Sequence, residues 1–319
     1  MMGTMMHWKG KTVLVTGGTG FIGSFLVERL LDAGATLRVP IRAQNYRSLS
    51  ARRGEIEWME GDLRDPAYCM RLVDGVDEVF HLAACRRTVR YHEKRSSQVM
   101  IENVRTTLSL LEALREREPV PVTFFSTANV PPNASVLTLS QQQKLDGYVL
   151  GKAICETLWF TAAHERSFPL LIARPVGVYG PRDTFAEDGN VVPALMVKAR
   201  ASTQELEVWG TGKEERTFLY VEDLVEALLR LVNAGAEGVQ YISSPDVCTV
   251  RQLAEQIRDL VQPGLPIHFE PKKPIGPRTI PLLKPHASLE RMRWTPLEKG
   301  LQKTHDAWMR KAELSLQEV

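Results

Sequence analysis

The chain has 319 residues, of which 44% are hydrophobic, and its 40 basic and 38 acidic residues leave a formal net charge of +2. This length provides a sizeable core for one large domain or two unequal ones, and the balanced charge gives no reason to expect a nucleic acid or another polyanion as a partner. No apolar run approaches the roughly 20 residues that span a membrane, so we expect a soluble protein.

The cysteines and histidines give no sign of a disulfide framework or a metal site. The four cysteines form no C-x-x-C pair, which fits a reducing compartment. The seven histidines lack the spacing of a zinc site, so we predict no metal. Because the Met-rich start, Met1–Met6, has no apolar core of a signal peptide, we expect a cytoplasmic location.

Short β-branched strands alternate with longer helical patterns over the first half of the chain. The candidate strands are Lys11–Thr16, Thr36–Val39, Ile56–Met59, Glu78–Leu82, Val122–Phe125 and Leu170–Ala173. The clearest helical patterns are Phe21–Ala33, Gln98–Arg115 and Tyr148–Arg166. This alternation predicts an α/β fold of the Rossmann type, a doubly wound parallel sheet with helices on both faces.

The regular alternation ends near Arg174. Proline and glycine become frequent, and Pro263–Pro285 is typical of a loop with one short strand, Ile267–Phe269. We therefore predict a dinucleotide-binding domain over residues 1–174. Residues 175–319 are expected to form mainly a smaller C-terminal substrate lobe that is interleaved with the first domain.

The segment from Thr16 to Gly23 reads T-G-G-T-G-F-I-G and stands between a strand pattern and a helical pattern. In such a segment Gly17 allows a tight turn, Gly20 lets a pyrophosphate approach the backbone, and Gly23 allows close helix–strand packing. The N–H groups at the start of the helix attract phosphates. A structural turn without a ligand is the alternative, but the strand–turn–helix context favours a dinucleotide site. We expect the cofactor to contact Gly17, Gly20, Phe21, Ile22 and Gly23.

A Y-x-x-x-K pair, Tyr148 and Lys152, stands at the head of a predicted helix downstream of the fifth strand. A spacing of four places both side chains on one helix face, where an ammonium favours the phenolate form of a tyrosine. Such a tyrosine can exchange a proton with a sugar or alcohol oxygen. Taken alone, this pair is usually a surface pair, and its position in the chain is what suggests catalysis.

Thr127 follows the fifth predicted strand in the sequence F-F-S-T. Ligands of doubly wound sheets bind at the carboxyl ends of the strands, where a hydroxyl can hydrogen-bond the reacting oxygen. A hydroxyl that merely caps a turn is the alternative. Because Tyr148 and Lys152 follow, we favour a catalytic role for Thr127.

These motifs together resemble those of the extended short-chain dehydrogenase/reductases, the family of nucleotide-sugar epimerases, dehydratases and reductases. The resemblance extends over nearly the whole chain and includes the segments Gly61–Asp65, His81–Ala84, Arg174–Arg182 and Arg216–Asp223. It implies that Tyr148 exchanges a proton at a sugar hydroxyl, usually at C4, while Lys152 holds the nicotinamide ribose. It also implies a nucleotide-diphosphate sugar as substrate and a homodimer that pairs through two of the predicted helices, Gln98–Arg115 and Tyr148–Arg166.

The resemblance also implies binding roles. Asp62 matches a residue that binds adenine, with Leu63 beside it, and Arg216 matches an arginine that holds the diphosphate; a surface ion pair is the alternative for Arg216. Arg86 belongs to a basic cluster that either meets phosphate or forms a solvated face. The remaining implied contacts are Leu82, Ala83, Ala84 and Asn103 on the cofactor side, and Asn129 and Asn190 on the substrate side.

Two departures from the family pattern reduce the number of activities that we expect of this chain. The family's 4,6-dehydratases carry an acidic pair after the threonine, whereas this chain has Ala128 and Asn129, and an amide does not exchange the required protons. The stretches most similar to GDP-fucose synthases are Val192–Leu195, Trp209–Gly212 and Trp294–Pro296. The epimerising Cys and His of those enzymes are matched by Asn129 and Asn190, so we expect neither dehydration nor that carbon epimerisation.

The end of the second strand, Leu37–Arg42, lacks the acidic residue that NAD enzymes use for the ribose diol. Arg42 suits the 2′-phosphate of NADP instead, unless it is an unrelated loop residue, so we favour NADP over NAD. The leading hypothesis is NADP-dependent reduction, at C4, of a nucleotide-linked 4-keto-6-deoxy sugar. The alternatives are a nucleotide-sugar C4 epimerase with bound NAD and a catalytically silent cofactor-binding sensor.

Overall fold

The computed structural model of the protein describes residues 7–42, 46–85, 91, 94–132, 145–273 and 285–317. The first half of the chain forms β1 (Thr12–Thr16), α1 (Phe21–Asp32), β2 (Thr36–Ile41), β3 (Ile56–Glu60), α2 (Pro66–Leu72), β4 (Glu78–His81), α3 (Ser96–Arg115), β5 (Val122–Phe125), α4 (Gly147–Arg166) and β6 (Leu170–Pro175). The second half forms β7 (Val178–Tyr179), α5 (Val191–Ala201), β8 (Leu206–Trp209), β9 (Glu215–Thr217), β10 (Leu219–Tyr220), α6 (Val221–Asn233), β11 (Gly238–Ile242), β12 (Val247–Thr249), α7 (Val250–Val261), β13 (Ile267–Glu270) and α8 (Leu297–Gln317). Short 3-10 helices cover Arg47–Glu55 and Ala287–Leu289. Within the described ranges, none of the helices is both long enough and apolar enough to cross a membrane.

The central sheet has seven strands in the order β11-β6-β5-β4-β1-β2-β3, and the pairings from β3 to β6 are all parallel. All six candidate strands of the first half are found in this sheet, so the predicted Rossmann-type α/β fold is confirmed. Strand β1 lies between β2 and β4, and the chain order therefore reverses beside β1. Ligands of doubly wound sheets bind outside the carboxyl ends of the strands at such a reversal.

The seventh strand, β11, comes from the second half of the chain, where the sequence pattern did not indicate a sheet strand. It begins at Gly238, whose φ is +69°, and four of its five residues are half-buried. This short edge strand lacks the complete burial of the inner strands β4 and β5. Sequence periodicity is therefore a weak signal for it.

Helices α3 and α4 pack side by side against the sheet. Their buried apolar side chains join those of the strands in one core, in which Leu14, Leu110, Phe124 and Trp159 are completely hidden from solvent. Burial of one such side chain contributes about 1.5–3 kcal/mol. At the start of α4 the backbone N–H of Gly147 donates to Ser96 Oγ over 2.6 Å, and a Cβ at Gly147 would overlap the Ser96 carbonyl oxygen. A glycine is therefore required where α4 begins against α3.

The chain forms two compact units. The first unit comprises residues 1–174, 225–242 and 284–291, and the second comprises 175–224, 243–283 and 292–319. The second unit has its own apolar core and three two-stranded pairings, β7 with β10 and β8 with β13 in parallel and β9 with β12 antiparallel. Strand β13 covers the predicted strand Ile267–Phe269.

Candidate active site

The predicted glycine turn joins β1 to α1, and a side chain at Gly17, Gly20 or Gly23 would crowd the neighbouring backbone. Gly17 has a φ of +72°, and a Cβ there would lie 2.8 Å from the backbone nitrogen of Ala83. A Cβ at Gly20 would lie 3.1 Å from the Gly17 carbonyl oxygen, and a Cβ at Gly23 would overlap that same oxygen. Phe21 and Ile22 form the first turn of α1. At these glycines the turn therefore presents only its backbone at the carboxyl end of β1.

The start of α1 fits the diphosphate of a dinucleotide. Gly20 is the N-cap residue and supplies no side-chain cap to the first turn, so the N–H groups of that turn and the positive end of the helix dipole are left for an anion. The segment after β4 passes directly beside the turn, because Gly17 approaches the backbone of Leu82 and Ala83. Ala84 follows on the exposed side. The predicted cofactor residues of these two segments are thus adjacent.

His81, at the end of β4, connects these two segments. Its Nδ1 lies 2.7 Å from Thr16 Oγ1, and its Nε2 lies 3.2 Å from Thr107 Oγ1 in α3. Thr16 Oγ1 in turn accepts the N–H of Ala83 over 3.2 Å. Burial, and secondarily the charge of Lys152, lowers the pKa of His81 from 6.5 to about 3. The imidazole is therefore a neutral hydrogen-bonding group that fixes the loop after β4 to the end of β1.

Lys152 is buried, with 2% of its surface exposed. Its Nζ donates to the carbonyl oxygen of Phe125 over 2.5 Å, and it lies 4.6 Å above the centroid of the Phe124 ring. The same Nζ lies 5.9 Å from the centroid of the Tyr148 ring. The ammonium thus joins α4 to the end of β5 and stands beside the tyrosine of the predicted pair.

The end of β5 continues into a turn that carries Thr127. Thr127 Oγ1 accepts the N–H of Asn129 over 3.3 Å, and its carbonyl oxygen accepts the N–H of Val130 over 3.1 Å. The turn is therefore tight, and Thr127 lies two residues beyond the carbonyl group that binds Lys152. The structure brings Thr127, Tyr148 and Lys152 to the carboxyl end of one strand, and Asn129 lies in the same turn.

The ends of β2 and β3 carry the predicted adenosine residues. Arg42 is exposed directly after β2. Asp62 follows β3 and accepts from Arg64 with both carboxylate oxygens, at 3.0 Å and 2.6 Å. The Arg64 guanidinium, with a smaller contribution from Arg42, lowers the pKa of Asp62 below its usual range. Leu63 packs against the core of the first unit. The sequence pattern did not indicate that Arg64 is the partner of Asp62.

Asn103 in α3 is almost fully buried and is bonded to the chain's own backbone. Its Oδ1 accepts the N–H of Cys85 over 2.8 Å, and its Nδ2 donates to the carbonyl oxygens of Val99 and Cys85 over 2.9 Å and 3.4 Å. The amide thus fixes the segment that contains Leu82, Ala83 and Ala84. Sequence spacing did not indicate this internal role, and the predicted contact of Asn103 with the cofactor stays a prediction.

Two predicted substrate residues lie in the second unit. Asn190 is the N-cap residue of α5, and its Nδ2 donates to both carboxylate oxygens of Asp183 over 3.2 Å and 3.0 Å. Arg216 lies in β9 opposite Cys248, and its Nη1 donates to the carbonyl oxygen of Glu215 over 2.9 Å. Arg182 has a φ of +69°, a strained backbone conformation for a residue other than glycine. Arg86 lies outside the described residues, and within those residues no group of three potential metal ligands is found.

The neutral state of His81 predicts a specific dependence of stability on pH. Below about pH 6.5 the unfolded chain takes up a proton at this imidazole, whereas the folded chain does so only near pH 3. Stability is therefore lost as the pH falls through this interval, by about 1.4 kcal/mol per pH unit. Between pH 6.5 and 5 we expect urea unfolding to show a loss about 2 kcal/mol larger in the wild type than in His81→Asn.

The control for this measurement is His164→Asn, because His164 is an exposed histidine of α4. Its pH dependence should equal that of the wild type. An equal loss in the wild type and in His81→Asn would contradict the buried neutral imidazole.

The chain is similar to known proteins over most of its length. The model of the NAD dependent epimerase/dehydratase family matches residues 13–243. A dTDP-4-dehydro-6-deoxy-D-allose reductase of Streptomyces bikiniensis is 29% identical over 94% of this chain and 97% of its own length. A UDP-glucuronic acid decarboxylase of Arabidopsis thaliana is 30% identical over 83% of this chain and 79% of its own length.

Solved structures show the same fold. The UDP-glucose 4-epimerase of Thermotoga maritima, determined with UDP-glucose, superposes with a TM-score of 0.78 and 24% identity over 94% of this chain and 99% of its own. At this identity the likeness concerns the fold alone. The family match, in contrast, covers more than half of the chain. The chain belongs to the NAD-dependent epimerase/dehydratase family.

Proposed function

We propose that this protein reduces the C4 carbonyl of a nucleotide-linked 4-keto-6-deoxy sugar with NADPH. The observation that carries the proposal is the buried Lys152 ammonium, which stands beside the Tyr148 ring and is bonded to the end of the strand that leads to Thr127. Similarity to dTDP-4-dehydro-6-deoxy-D-allose reductases over almost the whole chain supports a reductase. A dTDP-linked 4-keto-6-deoxyhexose is therefore the first substrate class to test.

The chain's own groups supply binding and proton control. The hydroxyl of Tyr148 gives its proton to the C4 oxygen as that oxygen gains negative charge, and the Thr127 hydroxyl donates a hydrogen bond to the same oxygen. The ammonium of Lys152 stabilises the phenolate that remains and holds the ribose next to the nicotinamide. When bound, the dinucleotide supplies the hydride. Because Ala128 and Asn129 replace the acidic pair of the dehydratases, the chain lacks groups for the elimination of water at this turn.

The preference for NADPH rests on the surroundings of Arg42. This exposed arginine follows β2, where the sequence has no acidic residue to accept from a ribose diol. A guanidinium binds a phosphate through a planar set of donors. NAD is the alternative cofactor, and it would accompany a C4 epimerase, which recycles its bound cofactor.

The proposed reduction is tested by consumption of NADPH with a panel of nucleotide-linked 4-keto-6-deoxyhexoses. We expect one NADPH oxidised for each sugar reduced, with a higher kcat/KM for NADPH than for NADH. Arg42→Ala should lower this cofactor preference, and Tyr148→Phe should lower kcat by about 10² to 10⁴-fold with cofactor binding retained.

Three results separate the alternatives. Conversion of a nucleotide hexose to its C4 epimer without net NADPH oxidation would replace the reductase with the epimerase. Tight cofactor binding without turnover of any sugar nucleotide would favour the sensor. Full activity of Tyr148→Phe would exclude this tyrosine as the proton donor.

We also propose that the protein is a homodimer that pairs through α3 and α4. These adjacent helices expose large apolar side chains, namely Ile101 (46%), Leu108 (38%), Ile154 (40%) and Phe160 (41%). Exposed apolar groups on neighbouring helices favour a partner surface of the same kind. A cytoplasmic location likewise remains our prediction.

The dimer is tested by Leu108→Glu, which places a charge in the proposed interface. We expect light scattering to show a shift from dimer towards monomer, while Val247→Glu, a matched change at an exposed apolar residue of the second unit, leaves the mass unchanged. A monomeric wild type at the concentration of the activity assay would remove the proposal.

A further inference from the structure

Arg174 and Glu156 form a buried ion pair in the first unit, close to the proposed catalytic groups in the chain's α4 and the Thr127 turn. Arg174 at the end of β6 is 3% exposed and Glu156 in α4 is 5% exposed. The Arg174 Nε donates to Glu156 Oε1 over 2.9 Å, and its Nη2 donates to Oε2 over 2.5 Å. This two-bond geometry is the strongest form of such a pair. Burial of two charges is nevertheless costly, and well-packed apolar side chains are often as stable, so stability alone does not account for it.

The remaining nitrogen of Arg174 reaches two other elements. Its Nη1 donates to the carbonyl oxygen of Val130 over 3.1 Å and to the Tyr241 hydroxyl of β11 over 2.6 Å. Val130 closes the turn that begins at Thr127, because its N–H donates to the Thr127 carbonyl oxygen. One guanidinium therefore binds the Thr127 turn, helix α4 and strand β11 together.

The position of Glu156 on α4 makes this connection relevant to chemistry. Tyr148, Lys152 and Glu156 are spaced by four residues and follow one another along one face of the helix. The proton donor and the Thr127 hydroxyl come from two different elements, and Arg174 bonds to both of these elements. A change in the hydrogen bonds of Arg174 to these two elements would alter the separation between the Tyr148 and Thr127 hydroxyl groups.

We propose that Arg174 is a positioning residue that sets the Thr127 turn against the Tyr148 helix through Glu156. This inference rests on the proposed function of Thr127 and Tyr148. The planar guanidinium bonds a carboxylate and a carbonyl group at once, whereas a lysine ammonium is a single point of charge. A misplacement of reacting groups by about 1 Å can cost about 10²-fold in rate.

The test compares kcat, KM and cofactor affinity in two variants. Arg174→Lys keeps the charge opposite Glu156 and loses the fork, and we expect kcat to fall by about 10 to 100-fold, with KM and cofactor Kd within about threefold of the wild type. The double variant Arg174→Met/Glu156→Met replaces the pair by apolar side chains and is expected to fold. It should show the same loss of kcat, which a purely structural ion pair would not produce.

Two controls separate positioning from general damage. Arg115→Lys changes an exposed ion pair of α4, Arg115–Glu165, which joins this helix to α3, and it should leave kcat unchanged. Tyr241→Phe removes one partner of Nη1 and keeps the bonds to Val130 and Glu156, so its kcat should stay within about threefold of the wild type. Wild-type kcat in both Arg174 variants would overturn the proposal.

A second readout needs no substrate and therefore does not depend on the proposed activity. Hydrogen exchange of the backbone N–H groups over residues 126–130 should be faster in Arg174→Lys than in the wild type, by more than any change in global stability produces. If the wild type reduces no sugar of the panel, this exchange alone decides whether Arg174 holds the turn. Unchanged exchange in this segment would then overturn the inference, separately from the failure of the proposed reduction.

Discussion

The functional edge of the sheet depends on the contacts of one buried ammonium group, that of Lys152. Lys152 carries its charge into the core of the first unit, where the carbonyl oxygen of Phe125 and the face of the Phe124 ring surround it. A buried charge is costly unless it is paired or hydrogen-bonded. The helix that carries Lys152 therefore has one favourable position against β5, and Tyr148 is placed by the same contact.

Neighbouring buried groups are arranged around this charge. The pKa of His81 is lowered by burial and by Lys152, so the imidazole beside the ammonium stays neutral and fixes Thr16 and the loop after β4. Asn103 fixes the segment after β4, and Arg174 fixes the segment after β5, in both cases by a hydrogen bond to the backbone. Buried polar side chains therefore hold the loops at the carboxyl end of the sheet in place, and the solvent-facing side of these loops is available to ligands.

The sequence predicted those parts of the fold that depend on local pattern. Strands β1 to β6 were found because short strand patterns that alternate with helical periods are strong signals. The glycine turn was found because its glycines stand between a strand pattern and a helical pattern. The edge strand β11 was missed because it comes from the second half of the chain, where strands and helices no longer alternate regularly. The bond between Asn103 and Cys85 and the Arg174–Glu156 pair each join residues that are 18 positions apart. Neither contact follows from sequence spacing without the topology of the sheet.

The most direct test of the account follows the hydride itself. The enzyme is supplied with NADPH deuterated at both C4 positions of the nicotinamide and with a dTDP-linked 4-keto-6-deoxyhexose, and the product is examined by mass spectrometry and NMR. The account predicts one deuterium at C4 of the reduced sugar. A reduced sugar without deuterium at C4, or an unreduced sugar under conditions in which NADPH binds, would contradict it.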